Sequence, residues 1–139
     1  MNALLVDTPN YVLLEGKQRI GPELLALHSG LECFAIYGFS DKQPYDVFCA
    51  NSQQALTPYP LVKGYLQNQL AVPGNAVHLV IVDATGPNEA HLNAVTMHSV
   101  LEAQEEKSNC VTVSFRLTRN EKSPAYRVEK ASLGFVPEN

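Results

Sequence analysis

The sequence lacks a long apolar run and lacks every familiar catalytic or cofactor motif. No window approaches the ~18 to 20 uninterrupted apolar residues that a membrane-spanning helix needs, so no membrane partner is expected. The patterns GxxxxGK[ST], GxGxxG, GxSxG, HExxH and CxxC are absent, as is an EF-hand loop. These absences exclude the recognisable phosphate, dinucleotide, hydrolase and metal signatures.

Cysteine is scarce, and its placement excludes a disulfide framework. Cys33, Cys49 and Cys110 are odd in number, widely spaced and embedded in apolar runs, which is typical of buried, reduced thiols. The first residues carry no Lys or Arg before a short apolar run that Asp7 interrupts, which argues against a signal peptide. We therefore expect a cytoplasmic protein with no metal and no cofactor.

The composition indicates one folded domain over residues 1–139. Apolar residues make up 45% of the 139 and charged residues 17%, which is ordinary for a globular chain. The net charge is −4, and residues 107–139 carry six of the ten basic side chains. Those basic residues are spread over two expected strands and interleaved with Glu121 and Glu129. This is not the dense basic face of a nucleic-acid binder, and no nucleic-acid partner is expected.

In the first half of the chain, the pattern predicts strands at 4–6 and 11–16 around the turn DTPN. A short helix is predicted over 21–30, because Pro22 suits a first helical position and Gly30 a position just past the end. The segments 31–39 and 45–50 are rich in aromatic residues and flank SDKQP, which predicts a hairpin or neighbouring strands.

In the second half, PLVKGYLQNQL (60–70) has the apolar spacing of a helix. The run VHLVIVDA (77–84) is nearly all apolar, which predicts an inner strand of a sheet. VTVSFRL (111–117) alternates cleanly and predicts a half-exposed strand. YRVEKASLGFV (126–136) is its expected partner, with a bulge near Glu129 or Lys130 to correct the phase.

Residues 87–106 fit two patterns. At 100° per residue, Ala90, Ala94, Met97 and Leu101 form one stripe, which indicates a helix. With period two, the same stretch alternates as a strand of a hairpin would. We favour the helix, since Pro87 suits its first position and AQEEK ends the segment in strong helix formers.

These elements together predict an α+β domain. We expect a mixed or mainly antiparallel sheet of about six or seven strands, with about three helices packed largely on one face. A homo-oligomer is expected, most simply a dimer, because a two-faced helix and a half-exposed sheet leave apolar area to cover.

The first candidate site is DATGPNEAH (83–91). If 77–82 is an inner strand and a helix follows, Asp83 lies at the strand's carboxyl end, where ligands collect in open sheets. Backbone N–H groups around Gly86 and Asn88 would then donate hydrogen bonds to an anion at the helix start. The alternative is an ordinary strand-to-helix turn, which uses the same residue types.

The second candidate is a set of titratable residues on the predicted helix, namely His91, His98, Glu102 and Glu105. Two histidines seven residues apart share a helical face, about 10.8 Å from each other. Such a set can pair a base with an acid, although exposed helix-surface histidine is the simpler interpretation. In a strand, the two imidazoles would point to opposite faces.

The third candidate is an apolar pocket that includes Tyr65. Aromatic residues suited to such a pocket are numerous, and a domain core has the same composition. They are Tyr11, Phe34, Tyr37, Tyr45, Phe48, Tyr59 and Tyr65.

Two hypotheses for function follow. The first is a non-catalytic small-molecule-binding or protein-interaction domain, and the second is a small metal-independent hydrolase or isomerase using Asp83, His91 and His98, with a His as general base.

Overall fold

A computed structural model describes residues 5–25, 33–52, 56–71, 76–86, 89–119 and 125–130. Within these ranges lie ten strands and three helices. In chain order they are β1 (Leu5–Asp7), β2 (Tyr11–Glu15), β3 (Gln18–Arg19), β4 (Cys33–Phe39), α1 (Lys42–Asn51), β5 (Thr57–Pro60), α2 (Lys63–Leu70), β6 (Val77–Val82), β7 (His91–Thr96), α3 (Met97–Glu106), β8 (Cys110–Thr112), β9 (Phe115–Thr118) and β10 (Arg127–Lys130). None of these helices is long and apolar enough to cross a membrane.

Eight of the strands form one mixed sheet. Its order is β10-β9-β7-β6-β4-β2-β3, with β5 also paired to β2. Strands β4 and β6 run parallel, and the other pairs are antiparallel. Strands β1 and β8 form a separate two-stranded ribbon. The predicted α+β class and mixed sheet are confirmed.

The sheet curls, so that the edge strand β10 approaches the chain on the far side of β4. The N–H of Tyr37 in β4 donates to the Ile20 carbonyl at 2.9 Å, and the N–H of Tyr126, just before β10, donates to the Glu23 carbonyl at 2.8 Å. The chain from Ile20 to Glu23 reaches at most about 10 Å. The Ile20 N–H also donates to the Leu13 carbonyl of β2, so Ile20 lies on the side of β4 away from β6. In a flat sheet it would be five strand spacings, about 24 Å, from β10, whereas the chain from 20 to 23 plus one spacing covers only about 15 Å. Only a strongly curved sheet allows both hydrogen bonds.

Alternation along the strands gives each side of the sheet its own core. One side buries Tyr37, Phe39 and Tyr126 together with Phe48 of α1. The other side buries a second cluster with contributions from α2 and α3, including Leu66. Two helices therefore pack on one face and one on the other. The side-chain amide of Gln104 also donates to the Leu61 carbonyl at 2.9 Å, which fixes α3 beside the start of α2.

Two prolines protect the outer side of β5. The N–H of Leu61 donates to the Asn10 carbonyl, so the odd-numbered residues of this strand direct their backbone groups toward β2. Pro58 and Pro60 therefore point outward, and neither has an N–H. This outer edge offers no backbone donors from 57 to 60 to a further strand.

The predicted hairpin strand at 45–50 is wrong, because this segment is helix α1. The Asp41 carboxylate accepts from the Lys42 N–H at 2.7 Å at the helix start, and Pro44 falls in the first turn, where proline is tolerated. Tyr45 and Phe48 are spaced so that both face the aromatic core around Phe39. Their β preference is overridden by this packing.

The predicted helix at 21–30 is not present in its described part, 21–25. Gly21 lies so close to the Ala35 carbonyl that a Cβ would clash with it, and Leu24 forms a bridge with Tyr126. The backbone groups that a helix would use are bound to a neighbouring strand instead. The rest of that prediction, 26–30, lies outside the described residues.

The prediction of a single helix over 87–106 is wrong, since the strand pattern holds for one part of the segment and the helix pattern for another. Residues 91–96 are β7 and residues 97–106 are α3. The Thr96 hydroxyl accepts from the Ser99 N–H at 3.0 Å, which caps the helix where the strand ends. The buried stripe of α3 is Met97, Val100 and Ala103 rather than the predicted one.

Several other predictions are confirmed. Helix α2 lies within 60–70, and β6 is an inner strand between β4 and β7. The alternation over 111–117 is real, although β8 and β9 divide it between two sheets. Strand β10 is the predicted partner of β9, but the predicted bulge near Glu129 or Lys130 is wrong, because the register is continuous from Arg127 to Lys130. Residues 131–136 lie outside the described part. The predicted strands near 4–6 and 11–16 exist as β1 and β2.

Candidate functional site

Asp83 connects the carboxyl ends of the two parallel strands. Its carboxylate accepts from the Ser40 N–H at 2.8 Å and from the Ser40 hydroxyl at 2.7 Å. Its own N–H donates to the Gly38 carbonyl at 2.9 Å. The φ angle of Asp83 is +55°, a left-handed conformation that Asp tolerates better than most residues. The side chain is thereby held in one orientation at the end of β6.

An open cleft of about 370 Å³ lies at this strand end. The β1–β8 ribbon forms one wall and the ends of β6 and β7 form the other. The lining residues are Leu5, Val6, Asp7, Val82, Asp83, Asn93 and Cys110. This volume is at the lower end of the range of about 300–1,000 Å³ that small-molecule sites occupy.

A hydrogen-bond chain connects the two walls. The Thr8 hydroxyl donates to the Ser108 carbonyl at 2.9 Å, which anchors the segment that follows Asp7 to the end of α3. The Asn10 side-chain amide donates to the carbonyls of Thr8 and Ser40, at 3.2 and 3.1 Å. Ser40 in turn holds Asp83. The positions of Asp7 and Asp83 therefore depend on one connected set of hydrogen bonds to the backbone.

The chemistry of the cleft is acidic and neutral. Asp7 and Asp83 supply carboxylates, Asn93 an amide, and Cys110 an exposed thiol. Leu5, Val6 and Val82 supply an apolar wall. A carboxylate has about four acceptor positions, so Asp83 can accept a ligand donor while Ser40 still occupies both of its oxygens. The arrangement suits a ligand with N–H or O–H donors, and among the described residues no group of three or more His, Cys, Asp or Glu side chains could hold a metal ion.

The loop after Asp83 uses its polar groups within the protein. The Thr85 N–H donates to the Glu89 carboxylate at 2.9 Å, and the Asn51 amide donates to the Thr85 carbonyl at 2.7 Å. Gly86 is buried against Asn51. The chain then continues as strand β7, so the helix start on which the anion hypothesis depended does not exist at 91–96. Asn88 lies outside the described residues.

The predicted histidine set is divided between two elements. His91 begins β7, exposed and opposite Thr118, whereas His98 lies in α3 with its Nδ1 3.6 Å from the Glu102 carboxylate. Glu105 pairs with Lys63 at 3.2 Å. The shared helical face was therefore wrong. His91 does lie on the same side of β7 as Asn93, two residues from the cleft lining.

Tyr65 belongs to a different region of the molecule. It packs beneath the guanidinium of Arg19, whose Cζ lies 3.6 Å from the ring centroid. Burial raises the pKa of the Tyr65 hydroxyl, and the nearby Arg19 partly offsets this. Tyr65 is not part of the cleft lining.

Sequence reasoning identified Asp83 but missed the other polar residues of the cleft. Asp7, Asn93 and Cys110 come from three distant segments, and no local spacing connects them. The one available signal was the polar Asn93 within an otherwise apolar alternation, LNAV. No family model, curated protein or solved structure matches this chain significantly.

Proposed function

We propose that this chain is a small-molecule-binding domain whose ligand occupies the cleft between the β1–β8 ribbon and the end of β6. The observation that carries the proposal is the pairing of Asp7 and Asp83 across one cleft, with Asp83 already oriented by Ser40. Two carboxylates beside an apolar wall favour a compact ligand that carries an amine or several hydroxyl groups. The Asn93 amide adds one position that both donates and accepts.

A thermal-shift panel tests this proposal. Primary amines, amino alcohols and polyols are compared with ethers of matched size that carry no N–H or O–H donor, at constant ionic strength. We expect members of the first group to raise the melting temperature by mass action and the ethers to leave it unchanged. A panel in which no amine or polyol shifts the transition would contradict the proposal.

Two variants test whether the ligand binds in the cleft. Asp7→Asn and Asp83→Asn keep side-chain size and remove one charge each, so both should weaken binding of a hit compound. Asp46→Asn is the matched control, because Asp46 is an exposed carboxylate on α1 that pairs with Lys42 outside the cleft. If both cleft variants bind as the unaltered chain does, the assignment of the site is wrong.

A second candidate is a small hydrolase or isomerase in which His91 acts as general base. The supporting observation is that His91 and Asn93 share one side of β7, so His91 lies two residues from the lining of the cleft that contains Asp83. His98, with Glu102 beside it, is the alternative base on α3. An activity on a cleft ligand that is lost in His91→Ala and retained in His98→Ala would favour this function, and activity retained in both variants would exclude both assignments.

Self-association and a cytoplasmic location complete the proposal. Leu25 and Phe34 are large apolar side chains outside the cleft that remain about half exposed. Covering them in a homodimer would remove apolar area from water. Sedimentation at micromolar concentration measures this directly, and a monomer of 15.2 kDa would contradict it. The three cysteines are free thiols, which fits a reducing compartment.

A further inference from the structure

Arg19 is held in an aromatic setting away from the cleft. It lies in β3, opposite Leu14 of β2. Its Cζ is 3.6 Å from the centroid of the Tyr65 ring and 5.8 Å from that of Tyr59. The closer distance is a stacking distance, in which a planar guanidinium lies over the face of a ring.

One atom of this arginine has no hydrogen-bond partner. The Nε atom is buried, and it is the only buried side-chain nitrogen or oxygen in the described part of the chain without one. Burying a donor without an acceptor is unfavourable, and native structures contain few such groups. Arg19 as a whole is only half-buried, so part of its side chain remains accessible, although the buried Nε itself cannot contact a ligand oxygen in this conformation.

The immediate surroundings are suited to an anion. Tyr65 lies in the first turn of α2, and that turn carries no acidic side chain. The residue before the helix, Val62, provides no side-chain cap. A stacked ring covers a face of the guanidinium, whereas its N–H groups point outward in its plane. Because Nε is buried, an oxyanion can approach along that plane only at the two terminal Nη groups, where it can accept two parallel hydrogen bonds.

We propose that Arg19, stacked on Tyr65 and flanked by Tyr59, is an oxyanion subsite for the carboxylate or phosphate group of a small ligand. The aromatic rings hold the guanidinium in one orientation before the ligand arrives, which lowers the entropy lost on binding. The subsite lies at the β3, β5 and α2 edge and shares no lining residue with the cleft of Asp7 and Asp83. Its success or failure is therefore independent of the proposed function.

The test is a titration followed by ¹⁵N NMR, with inorganic phosphate in one series and sodium acetate in another at constant ionic strength. We expect saturable shifts at the Arg19 Nε–H and the Tyr65 amide. Tighter binding of phosphate would identify a phosphoryl group as the ligand, and tighter binding of acetate a carboxylate. If neither anion produces saturable shifts in the unaltered chain, the proposal is overturned.

Variants separate binding from packing. Arg19→Met retains an unbranched apolar stem and should weaken anion binding about tenfold or more. Tyr65→Phe keeps the ring and should bind normally, whereas Tyr65→Leu should bind more weakly. Arg116→Met is the matched control, because Arg116 is an exposed arginine on β9 opposite Asn93 of β7. Unchanged anion binding by Arg19→Met would overturn the proposal.

Stability provides a second readout. Because Arg19→Met removes a buried donor that lacks a partner, its melting temperature without anion should equal or exceed that of the unaltered chain. A large loss of stability with no effect of anion on either protein would show a packing role and overturn the subsite. If Arg19→Met does not fold, Arg19→Lys keeps the charge but loses the planar fork, and it should bind about tenfold more weakly. Arg19→Lys binding as tightly as the unaltered chain would also overturn the proposal.

Discussion

The carboxylate of Asp83 accepts two hydrogen bonds from one residue, Ser40, through the backbone N–H at 2.8 Å and the hydroxyl at 2.7 Å. The two residues follow β6 and β4, which lie side by side and run parallel. This contact therefore joins the ends of two neighbouring strands and fixes an acidic wall of the cleft at the same time.

Removing the Ser40 hydroxyl should weaken this junction. We expect Ser40→Ala to lower the free energy of unfolding by about 1–2 kcal/mol, because the lost hydrogen bond involves a charged acceptor. Urea denaturation measures the change. In a double-mutant cycle with Asp83→Asn, the two effects should couple by about 0.5 kcal/mol or more. Additive effects would show that the two side chains do not stabilise each other.

Alanine substitutions at Gly21 and Gly64 should change the stability of the fold in opposite directions. At Gly21, a Cβ would lie 1.8 Å from the Ala35 carbonyl oxygen, so Gly21→Ala should destabilise the fold by about 3 kcal/mol or more. At Gly64, in α2, a Cβ meets nothing within 4 Å, so Gly64→Ala should stabilise it by about 0.5–1 kcal/mol. Thermal unfolding of both variants measures this, and a tolerated Gly21→Ala would contradict the close approach.

Tyr126 should make the fold sensitive to alkali. Burial raises the pKa of its hydroxyl from 10.0, and the guanidinium of Arg119 over the ring partly offsets this effect. The folded state thus holds the proton more tightly than the unfolded state. The resulting stability is complete below pH 10 and is lost as the pH rises through the folded-state pKa.

Urea midpoints between pH 8 and 11 measure this loss. Tyr126→Phe should show a shallower decline above pH 10. Below that pH it should be less stable by about 1 kcal/mol, because the hydroxyl no longer donates to the Glu89 carbonyl. Some decline should remain, since burial also raises the pKa of Tyr37. Tyr59→Phe, at an exposed tyrosine, is the control, and a slope in Tyr126→Phe equal to that of the unaltered chain would disprove the role of Tyr126.

Cys110 should report occupancy of the cleft. It is exposed, whereas Cys33 and Cys49 are partly buried and have a thiol pKa that burial raises. We expect iodoacetamide to modify Cys110 fastest, and an amine or polyol found by thermal shift to slow that reaction alone. Mass spectrometry of tryptic peptides follows each cysteine. Equal protection of all three would indicate general stabilisation of the fold rather than ligand in the cleft.

The sequence predicts elements well where one pattern dominates a segment. The apolar run 77–82 predicts the inner strand β6, and the alternation of 111–117 holds even though two sheets share it. Prediction fails where two patterns overlap or where packing decides. Thr96 ends a strand and caps a helix in one step, so neither period extends over 91–106.

The candidate sites were less predictable than the fold, because they are built from distant segments. Asp83 was identified from its place after a strand, which is a local property. Asp7 and Cys110 meet it only because the ribbon folds back over the sheet. Arg19 stacks on Tyr65, and nothing in EGKQRI indicates that contact. Contacts between segments far apart in the sequence determine both the cleft and the Arg19 site.

The curled sheet has a consequence for how the chain reaches its folded state. Within the described ranges, the backbone hydrogen bonds of residues 23–25 are to Tyr126, about a hundred positions later in the chain. Contacts of such separation form late and slow folding, because a large loop must be closed before they contribute. During synthesis, residues 23–25 would keep open hydrogen-bonding groups until residues near 126 leave the ribosome. This chain should therefore fold slowly and depend more on chaperones than a helical protein of its size.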